Sequence, residues 1–129
     1  MDIPKELKYS QDHEWVKVED NIVTIGITDF AQSQLGDVVF VELPEEGIAV
    51  QAGDSISVVE SVKAVSDIYA PLSGRVVQVN ASLADRPEQI NQDAYGAGWI
   101  VKVEMSDSGE LENLLDGSDY QRLIEEGED

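Results

Sequence analysis

The sequence contains no cysteine. That absence excludes disulfide staples, thiolate metal sites and a cysteine nucleophile, so any thiol chemistry must arrive on an attached group. Basic residues are also scarce. Eight lysines and arginines stand against 27 aspartates and glutamates, for a formal charge of −19. So few cations cannot build the basic patch that phosphate backbones or anionic lipids require, and neither nucleic acid nor membrane is expected among the partners. The acid suits a soluble monomer that meets positively charged surfaces. No run approaches the ~18 apolar residues of a membrane span. Met1-Asp2-Ile3-Pro4 lacks the basic region and apolar stretch of a signal peptide. A cytoplasmic protein of bacterial type is expected. The 129 residues suit one domain, 1–129, which can bury roughly two-thirds of the surface its unfolded chain exposes.

What the sequence does contain is a succession of short β-branched runs separated by turn residues, the pattern of a mainly β domain. Glu14 to Val18 and Ile22 to Ile27 read as strands joined at Asp20-Asn21. Thr28 and Asp29 offer N-cap oxygens, with Gln32 as capping-box partner of Asp29, and Gly36 supplies a left-handed stop. Phe30 to Leu35 is therefore expected to be one short internal helix. Further strands are expected at Val38–Leu43, Ser55–Val62, Ala64–Ala70, Arg75–Val79 and Trp99–Val103, with a short apolar piece at Ile48–Val50. The stretch from Asn80 to Gly98 has no clear period and reads as a loop. Asp107 with Glu110, and Ser118 with Gln121, read as capping boxes of two short C-terminal helices, a cap over about 107–126 that ends in a frayed acidic tail.

Lys63 is the residue on which chemistry can turn. It lies between two strands framed by Gly53-Asp54 on one side and Pro71-Leu72-Ser73-Gly74 on the other, near the middle of a hairpin over about 54–74. That placement puts its amine at the tip, in solvent, where a modifying enzyme can grip the bend and acylate it. Val62 and Ala64 beside it are compact and uncharged. An active-site lysine would instead sit desolvated among other ionisable groups. An ordinary solvated hairpin lysine is the plain alternative.

Several segments in order are also familiar. Glu60-Ser61-Val62-Lys63-Ala64, then Ser66-Asp67 and Ala70-Pro71-Leu72-Ser73-Gly74, strongly resemble the lipoyl-attachment segment of the glycine cleavage H-protein family. His13-Glu14-Trp15, Gly26-Ile27-Thr28, Leu35 to Pro44 and Tyr95 with Gly98-Trp99 extend the resemblance over nearly the whole chain. It implies a barrel-sandwich hybrid of the biotinyl/lipoyl-carrier type, with one short internal helix and two short C-terminal helices. It also implies lipoate held covalently on Lys63, with Glu60, Ser61, Val62 and Ala64 as the attachment motif. The implied activity is that of a non-catalytic shuttle. A pyridoxal-phosphate glycine decarboxylase loads an aminomethyl group onto the lipoyl arm and releases carbon dioxide. Aminomethyltransferase passes the one-carbon unit to tetrahydrofolate, and dihydrolipoyl dehydrogenase reoxidises the arm. A lipoyl or octanoyl transferase, or a lipoate ligase, would attach it. The loaded amine is expected to fold back into a cleft, with Glu14 and Asp67 as anionic wall and Ile27 and Thr28 as further wall surface.

Other readings are weaker. The same fold could serve as a lipoyl donor or relay for other complexes. A biotin carrier would want methionines around Lys63, where Val62 and Ala64 stand. A paired-carboxylate enzyme has no nucleophile motif to support it. His13 with Asp12 and Glu14 lacks a second soft ligand for a metal. Gly96-Ala97-Gly98 is followed by no third glycine. Asp54-Ser55-Ile56 opens a strand, where a phosphopantetheine serine would need helices. Phe30 and Gln34 stand where members of the resembled family often carry histidine.

Overall fold

The structure, a computed structural model, describes residues 2–127. Its strands are β1 (Lys8–Tyr9), β2 (Glu14–Glu19), β3 (Ile22–Ile27), β4 (Val38–Glu42), β5 (Ala49–Val50), β6 (Ser55–Ser61), β7 (Val65–Tyr69), β8 (Gly74–Val79) and β9 (Val101–Met105). Helices α1 (Asp29–Leu35), α2 (Gln89–Gln92) and α3 (Gly117–Gly127) are joined by 3-10 turns at Ala81–Ala84 and Ser108–Asn113. The strands form a six-stranded sheet in the order β1-β2-β3-β9-β8-β5 and a three-stranded sheet, β4-β6-β7. This is the mainly β sandwich expected from the sequence. All the pairings are antiparallel.

One apolar core joins the two sheets. Val16, Val23, Ile25, Val76, Val101 and Val103 come from the larger sheet, and Val41, Ile56, Val59 and Ile68 from the smaller. Alternation puts these residues on the inward faces, and each fully buried Val or Ile contributes about 1.5–3 kcal/mol. A second cluster, Leu7, Tyr9, Trp15 and Tyr120, fastens α3 to β1 and β2. There the Tyr9 and Tyr120 rings stack with centroids 4.6 Å apart. Gly26 lies under the Trp15 indole, which would come within 2.7 Å of any Cβ at that position. The indole Nε1 donates to the Ala94 carbonyl at 2.9 Å.

Strands β2 and β3, the internal helix and the lysine hairpin fall where the sequence places them, while the short β1 was not expected. Thr28 caps α1, its Oγ1 accepting from the Ala31 N–H, while Asp29 takes the Gln32 amide. Gly36 ends the helix at φ 82°. Three expectations need correction. The last strand begins at Val101 and ends at Met105, because Asn80 holds the Ala97 and Trp99 carbonyls with its own amide and keeps that backbone off the ladder. The stretch 80–98 carries a 3-10 turn and α2, each anchored by one fully buried residue, Leu83 and Ile90. The cap of α3 is Asp116, which accepts from the Asp119 N–H, and Ser118 lies inside the helix. The acidic end at 128–129 lies outside the described residues.

Candidate functional site

Lys63 stands at the bend between β6 and β7, exposed to solvent. The bend is closed by the Ser61 N–H donating to the Ala64 carbonyl at 2.8 Å. Ser61 Oγ accepts from the N–H groups of both Lys63 (3.2 Å) and Ala64 (3.0 Å), which fixes the turn from inside. Val62 N–H donates to the Asp37 carbonyl at 3.0 Å, tying the tip to the segment after α1. The lysine stem passes over Gly36, its Cε 3.5 Å from where a Cβ would stand there. Arg122–Asp119 is the one ion pair among the described residues, so Lys63 is held by no carboxylate.

A cleft of about 400 Å³ opens beside the hairpin. Its floor is Ile27, Leu35 and Ile68; one wall is the face of α1 that presents Phe30, Ala31 and Gln34; the other is Ala64, Val65 and Ser66. Asp12 and His13 stand at its edge. The cleft reaches the residue next to Lys63, so a flexible arm from Nζ can return into it. A larger groove of about 760 Å³ lies around Gly74, Arg75, Glu104 and Glu110 and holds none of the expected site residues.

Known proteins of one kind match the chain over nearly its whole length. The family model described as Glycine cleavage H-protein matches residues 7–127. The chain is 58% identical over 124 residues to a glycine cleavage system H protein of Carboxydothermus hydrogenoformans, covering 96% of this chain and 95% of the relative. It is 52% identical over 126 residues to one of Staphylococcus epidermidis, covering 98% of this chain and 100% of that one. The crystal structure of a glycine cleavage system H protein from Mycobacterium marinum superposes with a TM-score of 0.88 at 44% identity, covering 95% of this chain and 99% of the other. The chain belongs to the glycine cleavage H-protein family.

In this member of the family, the four residues expected to line the cleft are not brought together. Ile27 lines it. Glu14, its cross-strand partner, is shut away beside it at 1% exposure and does not line the cleft. Thr28 is fully buried and spent on capping α1. Asp67 does not face the cleft at all. Ser66 and Ile68 turn inward, so alternation sends Asp67 to the outer face, where it accepts from Ser55 Oγ at 3.0 Å. Asp12 is the carboxylate at the cleft edge. Sequence reading passed over most of the cleft lining, although Phe30 with Gln34, and Ala31 with Leu35, carry the i, i+4 spacing that puts residues on one helix face.

Glu14 accepts hydrogen bonds from Ser10 Oγ and from the Tyr69 N–H. Burial pushes its carboxyl up to about 7; the two hydrogen bonds pull it down and the Asp12 charge adds to the rise. The folded chain thus holds this proton more tightly than the unfolded chain, whose glutamate titrates near 4.5. The resulting stabilisation is complete below the unfolded value and is lost as pH rises through about 7. Glu14→Gln removes this dependence. Urea midpoints at about pH 5 and pH 8 should show the variant gaining on the parent by roughly 3 kcal/mol across the window. Equal pH slopes for the two proteins would contradict the buried, proton-holding carboxyl.

The C-terminal helix also reaches the cleft. The Tyr120 hydroxyl lies 2.8 Å from His13 Nδ1 and 2.6 Å from Thr28 Oγ1, and the His13 ring packs against Phe30 at 5.0 Å between centroids. His13 takes a left-handed backbone, φ 70°, which the Tyr120 contact helps to hold. Tyr120→Phe should cost about 1–2 kcal/mol in urea unfolding. No loss would show that the hydroxyl bonds are replaceable by water.

Proposed function

We propose that Lys63 is the residue that bears the lipoyl arm, and that Glu60, Ser61, Val62 and Ala64 form the turn that presents it. Family membership makes the chain a lipoyl carrier of the glycine cleavage system; the assignment of the lysine rests on its geometry. The observation that carries it is an exposed amine with no carboxylate partner, on a bend whose backbone is pinned by Ser61 and Asp37. The group fits: Nζ is open to acylation, and the adjacent cleft has the apolar floor that an aliphatic arm requires. When bound, the group supplies the sulfur that takes up and releases a one-carbon amine, a chemistry absent from a chain without cysteine.

The chain's own residues do the rest. The hairpin confines the arm to a small volume, so that each docked enzyme meets it as an intramolecular reactant. Ile27, Leu35 and Ile68 exclude water from a returned arm. Asp12 at the edge gives a returned cationic amine an anionic neighbour. The partners are a pyridoxal-phosphate glycine decarboxylase, a tetrahydrofolate-dependent aminomethyltransferase, dihydrolipoyl dehydrogenase and a lipoyl-attaching enzyme. The chain itself catalyses none of the steps. Reconstitution with the decarboxylase tests the reading: glycine-dependent carbon dioxide release should require the lipoylated chain and scale with it. Release independent of the chain, or no release with fully lipoylated chain, would leave it a lipoyl relay for other complexes.

A further inference from the structure

The face of the small sheet that turns away from the core carries exposed apolar side chains close to Lys63. Cross-strand partners share a face, so Phe40, Glu60 and Val65 form one row across β4, β6 and β7, and Glu42, Val58 and Asp67 form the next. Phe40 is 51% exposed, Val65, at the rim shared with the cleft, 67%, and Val62 at the bend 70%. Single exposed apolar side chains are ordinary; several around one bend make a patch that a partner covers. Glu42, Glu60 and Asp67 frame it, and no cation among the described residues pairs with them.

We propose that this face docks the enzyme that acylates Lys63, and that this enzyme brings an apolar socket framed by basic side chains. The inference rests on the reading of Lys63 as the attachment site. Charge selects the kind of partner. A second copy would bring the same acids and a further −19 charge, and an anionic membrane would be repelled in the same way. Position selects which partner. Val62 is the chain neighbour of Lys63 and Val65 lies two residues beyond, so an enzyme that bonds to Nζ must cover them. The enzymes that use the arm meet its far end and are free of that requirement. In the step itself, Nζ attacks the carbonyl of an activated acyl donor, a thioester or acyl-adenylate. The amide forms, the thiol or the adenylate leaves, and the nitrogen gives its proton to solvent.

The test uses the full apo chain with a purified lipoate ligase, lipoate and ATP. Phe40→Ser and Glu42→Lys should each lower kcat/KM for lipoyl transfer roughly tenfold, as interface anchors do, with unfolding midpoints unchanged. Phe40→Leu should restore most of the rate. Val18→Ser, an exposed valine on β2 away from this face, should leave it unchanged. Once lipoylated to completion, Phe40→Ser should match the parent in glycine-dependent carbon dioxide release. Equal transfer rates for Phe40→Ser and parent would overturn the docking face while leaving Lys63 as the attachment site. Normal transfer with lost release would assign the face to the decarboxylase instead. A parent chain that never acquires the adduct would sink both readings.

Discussion

Lys63→Arg leaves a folded chain that carries nothing. The guanidinium stays protonated at any pH the fold tolerates and offers no free amine to an acyl donor, so the lipoyl adduct disappears and glycine-dependent carbon dioxide release falls to background. Stability should hardly move, within about 0.5 kcal/mol, because the side chain is exposed and has no ion-pair partner. The pairing of complete functional loss with an unchanged unfolding midpoint distinguishes a carrier lysine from a structural one. Lys63→Ala should give the same functional loss, with only the stem's contact over Gly36 removed. Retained carbon dioxide release in either variant would move the arm to another lysine.

The largest effect on stability is expected at Gly74, the first residue of β8. It pairs with Val50 on one side and Met105 on the other. A Cβ there would overlap the Glu104 carbonyl oxygen and lie 2.7 Å from Val103 Cγ1. Both neighbours belong to β9, and the backbone carbonyl cannot retreat without opening the β8–β9 ladder. Gly74→Ala should therefore cost about 3 kcal/mol, lowering the melting midpoint by roughly 10 °C for a chain of this size. Gly47→Ala makes a useful contrast. No atom lies within 4 Å of its would-be Cβ, and only the left-handed backbone, φ 95°, resists substitution, which should cost about 1 kcal/mol. Equal midpoints for the two variants would show that the β8–β9 contact yields to a methyl group.

The elements most legible in the sequence are those whose stabilising partners are close in the chain. The β2–β3 hairpin announces itself by alternation and by Asp20, which takes φ 57° at the turn. Helix α1 is bracketed by Thr28 and Gly36, a start and a stop within one short segment. The lysine bend is legible for the same reason, since Ser61 fixes it through residues two and three positions away. The stretch 80–98 was opaque because its order comes from distant groups. Asn91 holds Gln32 and the Gly36 carbonyl and accepts from the Val38 N–H, and Asn80 gathers the carbonyls of Ala97 and Trp99. A polar residue making long-range bonds leaves no period to read.

The cleft shows the same division. Ile27 could be placed from its motif, and the alternation of β7 was enough to show that Asp67 and Ser66 face opposite ways. Asp67 is expected in the cleft from its place in the matching motif and from its charge, neither of which says which face of β7 it takes. The burial of Glu14 depends on β7 crossing over it, with the Tyr69 N–H as donor, a contact between residues 55 positions apart that no local pattern announces. Tyr120 is further still, reaching His13 across 107 positions.

The most direct test is peptide-mapped mass spectrometry of the full chain expressed with lipoate in a lipoylation-competent host. One lipoyl group is expected, on the peptide that contains Lys63, with Lys5, Lys8, Lys17 and Lys102 unmodified. An unmodified Lys63 peptide, or a lipoyl group on any of those four lysines, would contradict the account.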